Sequence, residues 1–236
     1  MKGFLSLFMC LVLIPGAVCA AGYDKNMYGD LNLRYNNTVV KQDTGAAYVG
    51  LRGDLSLLSW KNKYTNEAGV QLGSDSFTLK PVIGFDVFVG YKFDKNWRGD
   101  LEFGYVGKYS DHETEHYNDP ERTDFSLETS YLAMNGYYDF KYGLYAGAGV
   151  GIALVESSVY SNIVAGVNET KISPLGAIMF GWTYKLDEKI DLDLRYRLSV
   201  FDAGHLTLST GGSTWVKAET GIVTDNSLSV GVRYSF

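Results

Sequence analysis

Three groups of residues have the types and spacing that metal binding, catalysis or ion conduction would use. The first is Asp111-His112-Glu113-Thr114-Glu115-His116, followed by Asp119, Glu121 and Asp124. Two histidines four apart share one face of a helix and can hold a zinc ion there. Here the stretch lies between two strand patterns, with no helix to align them, and the glutamate is out of register for a zinc protease. The expectation is a solvated, self-repelling acidic loop tip without a metal. The second group is His205 near Asp202, with Ser199 or Ser209 as a conceivable nucleophile. A hydroxyl becomes nucleophilic only beside an oriented base, and nothing in the spacing supplies that. The reading is polar loop residues, no catalytic site, no cofactor and no enzyme.

The third group is larger. Arg52, Asp54, Asp86, Lys92, Arg98, Asp100, Glu102, Lys108, Lys185, Asp191, Asp193, Arg195, Arg197 and Arg233 fall at alternate positions within strand-like segments. If those strands close on themselves, all of these charges enter one narrow lumen. They then act either as an ion-selective pore or as a paired plug. Buried charges must pair, and eight strands leave room only for side chains, so the plug is expected.

The elements that must position these groups read as strands. In the last ten residues Leu228, Val230, Val232, Tyr234 and Phe236 alternate with Ser227, Ser229, Gly231, Arg233 and Ser235. A period of two is a strand with one apolar and one polar face. Seven further segments repeat it: 46–59, 82–93, 97–109, 125–140, 142–155, 172–186 and 190–202. The clearest sets Ile190, Leu192, Leu194, Tyr196, Leu198 and Val200 against Asp191, Asp193, Arg195, Arg197 and Ser199. In segment 125–140 the apolar set shifts near Tyr131, which predicts a bulge there. The connections alternate in length. Asp94-Lys95-Asn96, Asp139-Phe140-Lys141 and Asp187-Glu188-Lys189 are tight turns, whereas 60–81, 110–124, 156–170 and 203–226 are long loops. Three short and four long is the pattern of an eight-stranded antiparallel up-and-down transmembrane barrel, apolar outside and polar within, with both termini in the periplasm. Closure gives every backbone polar group a partner in lipid. A ten-stranded barrel is the alternative, because Tyr28–Tyr35 also alternates.

The start of the chain reads as a cleaved signal peptide over residues 1–21. Lys2 is its basic end, Phe4–Ile14 its apolar run and Val18-Cys19-Ala20 its cleavage site. Residues 22–45 are a lead-in, and 46–236 are the barrel. Both cysteines, Cys10 and Cys19, lie in the signal, so the exported chain has no disulfide or thiol chemistry. No apolar run is long enough for a spanning helix. The mean hydropathy of −0.08 suits strands that show only one face to lipid. A net charge of −6 argues against a nucleic-acid partner.

Tyr131–Phe140, Gly143–Gly151, Asp191–Arg197 and the terminal Val232-Arg233-Tyr234-Ser235-Phe236 resemble the small outer-membrane barrel family of opacity-type surface antigens and porin-family proteins, akin in architecture to OmpX and the OmpA transmembrane domain. The resemblance covers roughly Ala46–Phe236. It implies an outer-membrane location, with lipid and lipopolysaccharide as surroundings. It also implies a terminal aromatic, Phe236, read by the barrel-assembly machinery. By the same resemblance the external loops contact host surface molecules or the envelope. A narrow porin or conduit for small hydrophobic solutes is the alternative function, and a lipid-modifying enzyme a distant one.

Overall fold

A computed structural model describes residues 45–66, 68–115, 121–161, 167–209 and 215–236. Residues 1–44, which hold the segment read as a signal peptide and nearly all of the lead-in, lie outside them. Eight antiparallel strands follow one another around a closed barrel. They are β1 (Ala46–Asn66), β2 (Gln71–Lys92), β3 (Trp97–Glu115), β4 (Glu121–Asp139), β5 (Leu144–Ser161), β6 (Val167–Lys185), β7 (Ile190–Ser209) and β8 (Trp215–Ser235). β8 closes on β1 through pairs such as Leu51↔Val232 and Tyr48↔Ser235.

The alternation sets the faces. Leu51, Val87, Leu101, Met134, Val150, Phe180, Leu194 and Val230 stand exposed on the outside, while their neighbours fill the interior. From Phe93 to Ile83, β2 rises by about ten residues. At ~3.3 Å each and a tilt of ~40°, that spans roughly 25 Å, the height of an apolar lipid band. An aromatic girdle rings the short-turn end. Trp97 meets Tyr138 at 5.1 Å, Tyr138 meets Phe140 at 5.0 Å, Trp182 meets Tyr184 at 5.6 Å and Tyr234 meets Phe236 at 5.4 Å. Asp94 closes one short turn by accepting hydrogen bonds from the backbone N–H groups of Asn96 (2.7 Å) and Trp97 (2.8 Å). Those bonds hold its carboxyl below the usual range.

Interior glycines and aromatics are matched across strands. Tyr48 lies opposite Gly90, Phe88 opposite Gly50, Tyr131 opposite Gly104, Tyr137 opposite Gly147 and Tyr145 opposite Gly181. In each pair the ring covers the glycine so closely that a Cβ would collide with it. The glycines are therefore the space into which five lumen rings fold.

Four expectations are corrected. The long connections 60–81, 110–124, 156–170 and 203–226 are mostly strand, since the ladders run on past the band to Thr65↔Gln71 and Glu115↔Glu121. The bulge sits on β3, not at Tyr131: the register shifts between Tyr105 and Gly107, where Gly107 takes φ +121°. β4 keeps one phase from Ser126 to Tyr138, with Tyr131 inside. The same bulge reverses the phase of β3 beyond it, so Lys108 is exposed on the outer surface instead of entering the lumen. Lys185 is likewise exposed, at the short-turn rim.

Two ladders stop early. β2 and β3 pair from Lys92↔Arg98 only as far as Phe85↔Tyr105, and β6 and β7 from Lys185↔Asp191 only as far as Leu175↔Phe201. All four strands continue beyond, paired on their other sides. Each break has a proline on its leading strand, Pro81 or Pro174, and a positive-φ glycine on the following one, Gly107 or Gly204. Proline has no N–H to give a ladder, and the glycine re-aims its strand. Above the breaks the wall is thus two four-stranded half-shells, β7-β8-β1-β2 and β3-β4-β5-β6.

Candidate functional site

The lumen holds a charge network at mid-depth. Glu102 of β3 is its centre, accepting hydrogen bonds from Arg195 at 2.6 Å, Arg197 at 2.9 Å, Arg52 at 3.1 Å, Tyr131 Oη at 2.6 Å and Asn135 at 3.2 Å. Asp86 takes Arg52 at 2.8 Å and Arg195 at 2.6 Å. Arg52 also reaches Asp193 at 2.6 Å. Side chains of Arg52, Asp86, Glu102 and Arg195 are 0% exposed. The period of two explains the convergence: each strand sends every second residue inward, and the register brings those rows to one height.

The network is bordered by further pairs. Toward the short-turn end Arg233 binds Asp191 at 2.8 Å, and Arg98 binds Asp139 at 3.0 Å. Lys92 is half-buried at the same end. Asp100 accepts from Asn135 at 2.9 Å. Asp54 accepts from Ser229 Oγ and lies 3.9 Å from Arg195. Guanidinium groups also stack on rings: Arg52 is 3.7 Å from the Phe88 centroid, Arg197 is 4.0 Å from Tyr131 and Arg98 is 4.1 Å from Tyr137.

Sequence reasoning missed several of these partners. Asp225, buried and accepting from Ser199 at 3.0 Å, stood in a stretch read as loop. Continuing the β8 alternation upstream from Ser227 would have found it. Tyr131 and Tyr137 were hidden because rings occur on both faces, and Asn135 because its neutral amide does not stand out among the charges. Also missed is an apolar layer directly above the charges, built from Leu58, Trp60, Val82, Tyr109, Leu127, Val155, Phe201 and Val223. Trp60 stacks on Phe77 at 4.7 Å and meets Tyr109 edge-on at 5.3 Å. The interior thus has a polar lower plug and an apolar upper one.

The other candidates are placed differently. Asp111–Glu115 belongs to β3, with His112 opposite Asp124, and His116 lies outside the described residues. Ser199 is engaged with Asp225, and Asp202 pairs with Lys171 at 2.6 Å. His205 lies on β7 opposite Glu219. The side chain of Ser209 is outside the described residues. Phe236 anchors the end of the chain: its N–H donates to Ala47 O at 3.0 Å, and its ring is exposed to the lipid side.

The chain is similar to several known proteins. An uncharacterized protein of Haemophilus influenzae is 31% identical over 149 residues, covering 61% of this chain and 74% of its own. A Rickettsia canadensis protein named as an adhesin candidate is 30% identical over 151 residues, covering 57% of this chain and 64% of its own. Among solved structures, Ail of Yersinia pestis, in complex with the heparin analogue sucrose octasulfate, aligns with a TM-score of 0.45 and 13% identity. That alignment covers 82% of this chain and all of that one. Residues 6–236 match the family described as the outer membrane protein beta-barrel domain, and with eight strands closed around a charged lumen inside an apolar wall, the chain belongs to that outer-membrane family.

Proposed function

We propose that this chain is a non-enzymatic surface protein whose outer half-shells and hairpins contact host molecules or other envelope components. One observation carries the reading. Arg52, Asp86, Glu102 and Arg195 fill the lumen at mid-depth with no exposed surface, whereas the strands beyond the lipid band remain paired and extended. A closed lumen leaves the outer extensions as the part free to meet partners. The relative named as an adhesin candidate supports the same direction. In this reading the inward charges Arg52, Asp54, Asp86, Lys92, Asp100, Glu102, Asp191, Asp193, Arg195, Arg197 and Arg233 are structural. Outer-membrane lipid and lipopolysaccharide surround the wall, and Phe236 serves recognition by the barrel-assembly machinery.

A second reading has its own observation. The apolar layer of Trp60, Phe77, Tyr109, Leu127 and Phe201 would suit a small hydrophobic solute entering from outside. One experiment separates the two: replace each of the four outer hairpins in turn, residues 110–124 among them, with a short turn and measure binding of intact cells to host-cell surfaces. The surface reading expects correct insertion, with binding lost in at least one replacement. Unchanged binding across all four hairpin replacements would overturn it.

A further inference from the structure

Leu79 holds φ at +53°, a left-handed backbone that a leucine seldom adopts. It belongs to a bulge on β2. Leu58 pairs with Lys80 and Trp60 with Phe77, so two steps along β1 answer three along β2. The Leu79 N–H closes the bulge by donating to Ser59 Oγ at 3.0 Å. This breaks the period of two. Phe77 and Lys80, three apart, are both half-buried, while Thr78 and Leu79 between them are exposed. Backbone strain at an identified residue points to a local task. Here it turns the Lys80 side chain back onto the Phe77 ring.

Aromatic faces surround that ammonium. Lys80 Nζ lies 5.7 Å from the centroid of Phe77 and 5.4 Å from that of Tyr109. Both are within the reach of a ring quadrupole on a cation, about 6 Å. Trp60 backs both rings, stacked on Phe77 at 4.7 Å and edge-on to Tyr109 at 5.3 Å. Trp60 and Phe77 belong to one half-shell and Tyr109 to the other, so the cluster straddles the break where the β2–β3 ladder has stopped. A lysine ammonium is strongly hydrated and costly to hold against hydrocarbon faces. A trimethylammonium group carries the same charge with no N–H to satisfy, and its methyls spread over the rings. Lys80 is half-buried on a flexible four-carbon stem, so it can withdraw. Once withdrawn, its charge stands at the mouth of the cluster, where an anion joined to the incoming cation would meet it.

We propose that Trp60, Phe77 and Tyr109 form a cage for the trimethylammonium end of a phosphocholine group, with Lys80 as a tethered occupant that the ligand displaces and that then pairs with its phosphate. The group comes from a choline-bearing lipid surface or from a soluble phosphocholine ester. This rests on the reading of the outer half-shells as the interacting surface, and names the partner chemistry for one place on it.

The test uses the full chain refolded into maltoside micelles, which carry no choline. Phosphocholine, choline, phosphoethanolamine and neohexyl phosphate, in which carbon replaces the ammonium nitrogen, are titrated by calorimetry. The expected result is binding of phosphocholine, with phosphoethanolamine and neohexyl phosphate weaker by about tenfold or more. Phe77→Leu should lose about tenfold while keeping its heat-modifiable gel mobility. Lys80→Met vacates the cage, so choline should bind it about tenfold more tightly than it binds wild type, and the preference for phosphocholine over choline should fall toward one. Equal binding of neohexyl phosphate would overturn cation recognition and leave a site for hydrophobic solutes. Equal binding of phosphoethanolamine would overturn selection of the trimethylated head. Undiminished binding by Phe77→Leu would take the site out of the cage, and an unchanged preference in Lys80→Met would overturn displacement. Absence of binding by both wild type and Lys80→Met would overturn the whole proposal. Competition with phosphatidylcholine vesicles, set against phosphatidylglycerol vesicles, assigns the source: displacement of bound phosphocholine means a lipid surface, and its absence a soluble ester. The whole-cell hairpin replacements fail separately, since they ask whether the outer hairpins reach a partner at all.

Discussion

Replacing Glu102 by glutamine should destabilise the barrel more than any other single isosteric change in the lumen. The carboxylate accepts five hydrogen bonds, three of them from guanidinium groups. Glutamine keeps the shape, but it removes the charge and turns one end of the group into a donor facing donors. Summing the bonds at ~1.5–3 kcal/mol each would give roughly 7–15 kcal/mol. That overshoots, because the folded protein no longer has to desolvate a carboxylate. Two of the arginines also keep partners: Arg52 retains Asp86 and Asp193, and Arg195 retains Asp86. The main loss falls on Arg197, whose 2.9 Å bridge is to Glu102. Removing one member of a buried pair costs about 3–5 kcal/mol. That is about two to three and a half decades in the folding constant. Urea unfolding in lipid vesicles, followed by tryptophan fluorescence and gel mobility, measures it. Adding Arg197→Met should recover more than about 1 kcal/mol, since the stranded cation is then gone. A loss below about 1 kcal/mol for Glu102→Gln would refute the paired plug, because a hydrated pore wall pays no such penalty.

Four further outcomes are expected. Val232→Arg places a charge on the lipid face and should cost ~2–4 kcal/mol near mid-depth, read by folding yield into vesicles; wild-type yield would mean the phase of β8 is wrong. Gly107→Ala should destabilise by roughly 1–3 kcal/mol, since φ is +121° and a Cβ would lie 2.6 Å from Ile83 O; an unchanged unfolding midpoint would remove the bulge from the account. Single cysteines at Ala68 should react with impermeant reagents on intact cells, while those at Lys95, Lys141 and Glu188 stay silent until the outer membrane is broken. Labelling at Glu188 on intact cells would invert the barrel. The depressed Asp94 carboxyl contributes turn stability that is present above the unfolded carboxylate range and fades as pH falls through its lower folded value. The difference between wild type and Asp94→Asn should therefore vanish in strong acid, and a difference that grows there would contradict the sign.

How much of this was legible in the sequence depends on what surrounds each residue. Ile190–Val200 read correctly because lipid on one face and lumen on the other enforce a strict period of two. Residues 63–66 and 71–81 read as loop because neither face is fully buried above the band, so alternation fades although the ladder continues. Lys108 was misplaced because one positive-φ glycine reverses every side chain after it, and no neighbouring residue type announces this. Tyr131 suggested a bulge on β4 because aromatics line both faces of this wall. The convergence of charges on one lumen followed from parity alone, but the pairing did not. Arg52 and Asp193 are 141 residues apart, and only the closed register brings them to 2.6 Å.

The central claim is that this lumen is shut at mid-depth and that function lies outside it. Single-protein conductance across a planar bilayer tests it most directly. The refolded wild-type chain should show no steady open level at moderate voltage, and Glu102→Gln combined with Arg195→Ala should introduce one. A stable, ion-selective conductance in the wild type, with selectivity that shifts on Arg195→Ala and stability that does not, would contradict the account.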